Sequence, residues 1–341
     1  MTSEDMKILM EEFLRDMRII VTGGAGFIGS HLTEKLLSMG ADITVIDNFS
    51  TGRKDNLKDF INKINVIEAD ISLEGEWQKC FQDADWVVHL AALADIVPSI
   101  ENPRRYFESN VSGTLNVLEA AKNSNIKRFI YSASSSCYGI PENYPTNENS
   151  SIDTRYPYAL TKYLGEELVL HWEKVFKIPS ISLRFFNVYG TKSRTSGTYG
   201  AVFGVFLAQK LKNKPFTVVG DGTQTRDFTY VSDVVEAIIA AAKSNISGEV
   251  INIGSDNTFS VNQLVDLLGG EVIYIPKRPG EPDCTWADIT KAKKTLDWTP
   301  KISLSEGVKF LLEDINYWKE APVWDEESIN NATKKWFEYL G

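Results

Sequence analysis

Short apolar runs alternate with longer stretches of helical periodicity through the first half of the chain. The apolar runs predict strands near residues 17–22, 42–47, 64–68, 86–90, 127–132 and 180–185. The periodic stretches predict helices near residues 26–39, 73–81, 102–123 and 157–176. Apolar residues fill the strands without alternation, as in Trp86-Val87-Val88, which indicates burial on both faces. We therefore predict an α/β fold with a doubly wound parallel sheet of the Rossmann type.

The rhythm changes after about residue 187, where turn residues become more frequent and the periodic runs shorten. We predict a first domain over residues 17–186 and a smaller α/β substrate-binding lobe made mainly of residues 187–320. Within that range, residues 228–253 are predicted to return to the first domain, as a helix (231–243) followed by a strand (249–253).

Both ends of the chain are predicted to lie outside the two lobes. Residues 1–16 form an N-terminal extension, in which residues 5–15 have the pattern of a short amphipathic helix. The C-terminal tail, residues 321–341, carries apolar side chains at helical spacing: Ile329, Ala332, Trp336, Phe337 and Leu340. We interpret the tail as a helix packed on the protein rather than as a partner-binding helix.

Three glycines separate the first predicted strand from the first predicted helix, in the spacing Gly23-x-x-Gly26-x-x-Gly29. The first glycine permits a tight turn, the second allows backbone N–H groups to approach a pyrophosphate, and the third lets the helix pack close to the strand. The helix N-terminus then offers unpaired N–H donors to phosphate. In this strand–turn–helix setting the pattern predicts a bound dinucleotide.

The second predicted strand ends in Asp47, at the distance expected for a carboxylate that binds the adenosine ribose diol. A carboxylate there repels a 2′-phosphate, which favours NAD over NADP. Arg53 is close enough in sequence to keep NADP open at this point.

Composition limits the kinds of partner, metal site and cellular location that the protein can have. The chain has 341 residues and a net charge of -10, which disfavours nucleic acid as a partner. Its three cysteines and three histidines are widely spaced, so we assign no disulfide framework, no metal site and structural roles to the histidines. No apolar run reaches the roughly 18 residues of a membrane span, and residues 1–7 are too acidic for a signal peptide. We therefore expect a cytoplasmic protein without a membrane partner.

Two further stretches carry candidate chemistry. Tyr158 and Lys162 lie one turn apart on a predicted helix, where an ammonium group favours the phenolate and makes tyrosine a usable base. Ser134 follows a predicted buried strand, at the sheet edge where ligands bind in such folds. A Tyr-x-x-x-Lys pair also arises by chance on exposed helices, and a serine run also forms loops or helix caps. The combination favours an active site.

With these motifs, the sequence resembles the extended short-chain dehydrogenase/reductase family. Within it, the chain is most similar to the nucleotide-sugar 4-epimerases of the UDP-galactose 4-epimerase type, over about residues 17–318. The resemblance rests on Thr22–Ser30, Asp47-Asn48, Asp70-Ile71, His89–Ala92, Ser134–Gly139, Tyr158 with Lys162, Arg184–Asn187, Arg226-Asp227 and Arg278–Glu281.

The resemblance implies a set of roles, with no metal ion among them. The residues implied to bind NAD are Gly23, Gly26, Phe27, Ile28, Gly29, Asp47, Asn48, Asp70, Ile71, Leu90, Ala91, Ala92, Tyr158 and Lys162. The residues implied to be catalytic are Ser134, Tyr158 and Lys162. Those implied to bind the nucleotide sugar are Ser134, Ser136, Tyr158, Asn187, Arg226, Arg278, Glu281 and Thr285. Two planar cations suit a diphosphate, which agrees with Arg226 and Arg278.

The implied reaction is the inversion of C4 of a UDP-sugar through a 4-keto intermediate. Related dehydratases carry an Asp-Glu pair where this chain has Ser135 and Ser136, and related decarboxylases carry a glutamate at the second of these positions. Related 3,5-epimerases need a Cys and His pair, and Cys137 has no evident histidine partner. These departures favour 4-epimerisation. The alternatives kept open are another nucleotide-sugar-modifying member, a dehydratase or a decarboxylase, and a non-catalytic sensor of NAD or nucleotide sugar.

Two finer expectations follow from the resemblance. Thr285 matches a position beside the sugar that is a bulky tyrosine in enzymes limited to glucose and galactose. A small residue there leaves room for an N-acetyl group, so we expect UDP-GlcNAc/UDP-GalNAc as substrates, with UDP-Glc/UDP-Gal as a second pair. The family is often dimeric through a four-helix bundle, which would use the helices near 102–123 and 157–176 in a homodimer.

Overall fold

The computed structural model describes residues 14–193 and 201–341, so most of the predicted helix over residues 5–15 lies outside the described residues. The strands are β1 (Arg18–Thr22), β2 (Asp42–Asp47), β3 (Asn65–Glu68), β4 (Trp86–His89), β5 (Arg128–Ser134), β6 (Ser180–Phe185), β7 (Val188–Tyr189), β8 (Phe216–Val219), β9 (Thr225–Arg226), β10 (Thr229–Tyr230), β11 (Glu249–Ile253), β12 (Phe259–Ser260) and β13 (Val272–Ile275). The α-helices are α1 (Phe27–Ser38), α2 (Ile96–Glu101), α3 (Pro103–Phe107), α4 (Gly113–Lys122), α5 (Pro157–Phe176), α6 (Val202–Leu211), α7 (Val231–Lys243), α8 (Val261–Leu268), α9 (Thr290–Leu296), α10 (Leu304–Glu313) and α11 (Glu326–Leu340).

A seven-stranded parallel sheet forms the centre of the molecule, in the order β11-β6-β5-β4-β1-β2-β3. Strands β4 and β5 are almost wholly buried, which explains why their sequences are continuously apolar. The strand order reverses between β1 and β4, and ligands bind at such a switch point in doubly wound sheets. The predicted Rossmann fold and its six N-terminal strands are confirmed.

Helices cover both faces of this sheet. One face packs on α1 and α7, through a core that includes Leu32, Leu36 and Ile238. The other face packs on α4 and α5, through a core that includes Val117 and Val169. Burying apolar side chains on both faces fixes the sheet and its loops relative to the helices.

Two predicted helices differ from a regular α-helix. The segment predicted at 73–81 is a 3₁₀ helix, Glu76–Asp83, in which Trp77 and Phe81 are buried at a spacing that also suits an α-helix. The segment predicted at 102–123 is α3, a π-helical turn over Glu108–Ser112, and α4. Apolar spacing reports the buried face, and it does not distinguish these hydrogen-bond patterns.

The second lobe has its own core and only short strands. Its strands pair as β7 with β10, β8 with β13, and β9 with β12. Its core includes Phe206, Phe216 and Trp318, all nearly inaccessible to solvent. The strand β11 belongs instead to the central sheet, where it pairs with β6.

The C-terminal tail is helical from Glu326 to Leu340, and Asp325 caps its N-terminus by accepting a hydrogen bond from Ser328 N. Ile329, Thr333 and Trp336 lie on one face and are buried. The C-terminal helix thus packs on the protein through this face. Within residues 14–193 and 201–341, no helix is both long enough and apolar enough to span a membrane.

Candidate active site

A cavity of about 690 Å³ lies between the carboxyl ends of the sheet strands and the second lobe. Every residue predicted to bind cofactor or substrate lines it: the glycine turn and the β2, β3 and β4 ends on one side, Ser134, Tyr158 and Lys162 in the middle, and Asn187, Arg226, Arg278, Glu281 and Thr285 on the other. Residues as far apart in sequence as Gly23 and Thr285 therefore share one chamber, which agrees with a single extended ligand or two adjacent ligands.

The glycine turn leaves no room for side chains. Gly23 has φ +71°, and a Cβ there would lie 2.7 Å from the backbone N of Ala91. A Cβ on Gly29 would lie 2.1 Å from the Gly23 carbonyl oxygen. Gly26 precedes α1 without a side-chain cap, so the first N–H groups of that helix are left for an external acceptor. The turn therefore fits the pyrophosphate of a dinucleotide.

Asp47 links the end of β2 to the glycine turn. Its carboxylate accepts hydrogen bonds from Ala25 N (2.9 Å) and Phe49 N (2.8 Å), and burial raises its pKa. The Arg53 guanidinium lies over the Tyr317 ring, 5.5 Å from its centroid. Asp47 thus places a carboxylate on the cavity wall where a ribose is expected. Arg53, which could bind a 2′-phosphate, contacts the Tyr317 ring instead. Both observations favour NAD over NADP.

His89 illustrates a histidine with a structural role. It lies at the end of β4 between the hydroxyl oxygens of Thr22 (2.6 Å) and Thr114 (2.9 Å), almost completely buried. Burial lowers its pKa to about 3, so the ring stays neutral at physiological pH. His89 therefore connects β1, β4 and α4 behind the cavity and does not serve as an acid or base.

Tyr158 stands in the first turn of α5, after Pro157, and Ser134 ends β5. The Ser134 hydroxyl lies 2.8 Å from that of Ser136 and accepts a hydrogen bond from Ser136 N. Burial raises the pKa of Tyr158, whereas hydrogen bonding with Ser134 lowers it. The serine therefore contacts the phenol and favours its ionised form.

Lys162 lies one turn along α5 and is only 4% exposed. Its ammonium group is 4.4 Å from the centroid of the Tyr131 ring. Burial lowers the pKa of Lys162 to about 7, while the Glu166 carboxylate acts in the opposite direction. Because this pKa is near neutral, the protonation of Lys162 depends on the other charges in the cavity.

Buried polar contacts hold α5 in place. The guanidinium of Arg184, on β6, pairs with Glu166, and Ser182 also donates to that carboxylate (2.8 Å). At the π-helical turn, the Asn110 amide bonds to the Leu93 backbone and to Thr161 Oγ1. Since both sets attach α5 to the sheet or to the loop after β4, the reactive phenol is held by a rigid helix.

Two cavity residues near Tyr158 were missed by the sequence analysis. The Tyr156 ring stacks on the Tyr158 ring, with centroids 6.4 Å apart and planes 8° apart. The Asp95 carboxylate raises the pKa of Tyr158 through its negative charge. The sequence signals were a lone acid in the apolar stretch after β4 and a second tyrosine beside Pro157. Neither follows a helical or strand period.

The second lobe supplies an arginine pair joined by one acid. Arg226, on β9, donates to Glu281 Oε1 at 2.8 Å, and Arg278 lies 3.8 Å from Glu281 Oε2. The side chains of the two arginines are 10% and 12% exposed. One carboxylate offsets part of the charge of two cations, which leaves a positive surface for an anion. Glu281 therefore orients the arginines, since its own charge repels a diphosphate.

Thr285 lies on the cavity wall rather than in the core. Its hydroxyl donates to Asn187 Oδ1 (2.6 Å) and accepts from Asp227 N (3.1 Å). Asp227 is fully buried, accepts from the backbone N–H groups of Ser255 and Ala287, and has its pKa raised by burial to about 6. Thr285, expected beside the sugar, and Asn187, expected to help hold the nucleoside diphosphate, are thus one hydrogen-bonded unit. In the described part of the chain, no three metal-ligating side chains are grouped.

A family model described as the NAD dependent epimerase/dehydratase family matches residues 19–254. The chain belongs to this family. The chain is therefore an NAD-dependent, nucleotide-sugar-modifying enzyme of the extended short-chain dehydrogenase/reductase class. The family assignment from sequence motifs is confirmed.

The chain is similar to known proteins, and the structures of some of them have been solved. The chain is 39% identical over 299 residues to a putative UDP-glucose 4-epimerase of Methanocaldococcus jannaschii, covering 85% of this chain and 96% of that one. The structure of a UDP-N-acetylglucosamine 4-epimerase of Methanobrevibacter ruminantium in complex with UDP-N-acetylmuramic acid is 32% identical, with a TM-score of 0.83 and coverage of 88% and 99%. That of a UDP-glucuronic acid 4-epimerase of Bacillus cereus, with UDP-glucuronic acid and NAD, is 36% identical, with a TM-score of 0.81 and coverage of 89% and 99%.

Proposed function

We propose that the protein inverts C4 of a UDP-sugar through a 4-keto intermediate. The observation that carries this proposal is the position of Ser134, Tyr158 and Lys162 in the same cavity as the arginine pair. A base and a diphosphate anchor thus face the same ligand from opposite lobes. The relatives described as 4-epimerases support the same reaction.

Each group has a definite task in this reaction. The Tyr158 phenolate removes the proton of the sugar C4 hydroxyl, and the Ser134 hydroxyl holds that oxygen beside it. The glycine turn and Asp47 would hold NAD, which would supply reversible hydride transfer at C4. Arg226 and Arg278 keep the diphosphate fixed while the sugar turns about its phosphate link. Lys162 favours the phenolate whenever it carries its charge.

Ser135 and Ser136 support epimerisation over dehydration or decarboxylation. Both residues line the cavity next to Ser134. Neither hydroxyl is acidic enough to protonate a leaving water at neutral pH, and Ser136 instead bonds to Ser134. A carboxylate, which the related dehydratases and decarboxylases carry, is absent from these two positions.

We propose UDP-GlcNAc and UDP-GalNAc as the main substrate pair, with UDP-Glc and UDP-Gal as the second pair. The support is the position of Thr285 on the cavity wall, where its side chain bonds to Asn187 and is much smaller than a tyrosine. Two solved relatives are a UDP-N-acetylglucosamine 4-epimerase and a UDP-glucuronic acid 4-epimerase, so both sugar classes belong in a substrate test.

The decisive experiment is a panel of UDP-, dTDP- and CDP-sugars, incubated with the protein and followed by ¹H NMR at C4. We expect UDP-GlcNAc and UDP-GalNAc to interconvert to an equilibrium mixture without net consumption of NAD. Release of CO₂ from UDP-glucuronic acid would establish a decarboxylase instead. Unchanged spectra for every sugar, with UDP bound, would favour a sensor.

We also propose a homodimer formed through α3, α4 and α5. Phe107 is 49% exposed, Leu160 is 44% exposed and Leu115 is 36% exposed, and all three lie on these helices. Large exposed apolar side chains on these neighbouring helices suit a symmetric bundle with a second copy. Light scattering should give about twice the chain mass, and a Phe107→Glu/Leu160→Glu variant should be monomeric. A monomeric wild type would refute this.

We propose that the protein works in a reducing compartment, the cytoplasm. The support is that Cys80, Cys137 and Cys284 are all free thiols. Fractionation of cells that express the protein, followed by immunoblotting, would place it. Recovery with secreted material would contradict the proposal.

A further inference from the structure

The C-terminal helix α11 lies against the substrate cavity although it is outside residues 19–254, which the family model matches. Both Trp324, just before the helix, and Trp336, in its last turns, line the cavity. The helix also contacts α2, which belongs to the first lobe. It therefore touches both walls of the chamber in which the nucleotide sugar is proposed to bind.

Trp336 is the residue by which α11 meets the arginine pair. Its ring lies under the Arg278 guanidinium, with 5.5 Å between Cζ and the ring centroid. Its indole N–H donates to the Pro279 carbonyl at 2.7 Å. One side chain thus contacts both the charged group of Arg278 and the backbone of the loop that carries it.

The remainder of the helix fixes Trp336. Ile329, Thr333 and Trp336 are spaced at four and three residues and are 2%, 1% and 4% exposed. Ile329 belongs to the core of the second lobe, and Leu340 lies next to Gly280 of the arginine loop. Since both ends of the helix are attached, the backbone that carries Trp336 is held beside the arginine loop.

The loop that carries Arg278 has little regular structure of its own. Residues 276–282 lie between β13 and the bridge at Cys284, without a helix or strand. The ion pair to Glu281 is long, at 3.8 Å, so it constrains the guanidinium weakly. The Trp336 ring gives the planar guanidinium a second contact, because guanidinium groups stack on aromatic faces.

We propose that Trp336 is a positioning residue for the diphosphate site: it holds Arg278 ready for the nucleoside diphosphate, so the C-terminal helix sets substrate affinity. This inference rests on the proposed function, because it takes the arginine pair as the anchor for a UDP-sugar. Preorganising the cation removes part of the ordering cost of binding. The chemistry step, at Tyr158, does not involve the indole.

The test is a double-mutant cycle of Trp336→Ala and Arg278→Ala, with UDP affinity measured by calorimetry and kcat and KM measured with the epimerised sugar. We expect Trp336→Ala to weaken UDP binding and raise KM by about tenfold, with kcat and NAD content within about twofold of wild type. The double variant should bind UDP no more weakly than Arg278→Ala alone, because the indole acts through the arginine.

Two further variants separate positioning from folding. Trp336→Phe keeps an aromatic face without the N–H donor and should recover most of the affinity. Tyr339→Ala, on the same helix at 65% exposure, should match wild type and controls for general damage to the helix. Thermal unfolding checks that each variant is folded.

The outcomes are distinct. Wild-type UDP affinity in Trp336→Ala, or additive losses in the double variant, would overturn this inference while leaving the epimerase proposal intact. UDP binding that depends on Trp336 through Arg278, in a protein that inverts no sugar, would support the inference and refute the proposed reaction. Failure of the wild type to bind UDP would overturn both.

Discussion

The two lobes hold their sides of the cavity by different means. The first lobe uses backbone and buried strands: Gly23 and Gly29 permit no Cβ, and Asp47 is fixed by two N–H groups. The second lobe uses charged side chains on short strands and loops, with Arg226 and Arg278 joined by Glu281. A rigid cofactor side and a side-chain-built substrate side suit a reaction in which one ligand stays in place and the other exchanges.

The two lobes also differ in which amino-acid substitutions they tolerate. Replacing Gly23 or Gly29 in the first lobe forces backbone atoms apart, whereas replacing Arg226 or Arg278 in the second removes a cation from the cavity wall. The two lobes should therefore respond differently to mutation: chemistry should be lost on the first-lobe side, and substrate affinity or choice on the second. The following predictions test that division.

The largest effect is expected for Tyr158→Phe, on the first-lobe side. Removing the phenol removes the general base, so kcat should fall by about 10²- to 10⁴-fold. UDP affinity should stay within about twofold, because the anion is held by the other lobe. Stopped assays followed by NMR give kcat, and calorimetry gives the affinity.

The matched control is Tyr163→Phe, a partly buried tyrosine of the same helix that does not line the cavity. It should keep wild-type kcat. A Tyr158→Phe protein with undiminished turnover would remove Tyr158 from the mechanism. A parallel loss of UDP affinity would break the proposed division between the lobes.

A smaller, pH-dependent effect is expected for Lys162→Met. The active form of Tyr158 is the phenolate, so activity rises with pH through the pKa of the tyrosine. Removing the ammonium raises that pKa further and shifts the rising limb of kcat to higher pH. The pKa of Lys162 itself is lowered to about 7, so its charge is present below that value and fades above it.

Wild type and Lys162→Met should therefore differ most below pH 7, by about tenfold or more, and converge towards pH 9. Lys174→Met, at an exposed position of the same helix, is the control and should superimpose on wild type. A ratio of activities that does not change with pH would show that Lys162 acts by another route, such as cofactor binding alone.

The sequence predicted the first lobe better than the second. Glycine spacing, an acid at a strand end and a Tyr-x-x-x-Lys pair are local patterns, and each depends on backbone geometry that the nearby residues determine. Arg226 and Arg278 were named only through the family resemblance. Their pairing through Glu281 joins residues 55 positions apart, which no local period records.

The missed residues share the same cause. Asp95 acts on Tyr158 through space from the loop after β4, and Trp336 reaches Arg278 from 58 positions further along the chain. The helical spacing of the tail correctly predicted that Ile329 and Trp336 share a buried face. It could not predict what that face is packed against, because packing partners are set by the tertiary fold.

The smallest effect is expected for Thr285→Tyr, on the second-lobe side. A phenol at this cavity wall fills the space proposed for the N-acetyl group and removes the bond to Asn187. The ratio of kcat/KM for UDP-GlcNAc to that for UDP-Glc should fall by about tenfold, while turnover of UDP-Glc changes little.

Thr285→Val, which keeps the volume and loses the hydroxyl, isolates the hydrogen bonds to Asn187 and Asp227. If Thr285→Val alters the ratio as strongly as Thr285→Tyr, the hydrogen-bonded unit sets sugar choice, and cavity size does not. If neither variant changes the ratio, selection between the sugars lies elsewhere on the wall, and the second lobe anchors the diphosphate without discriminating between its sugars.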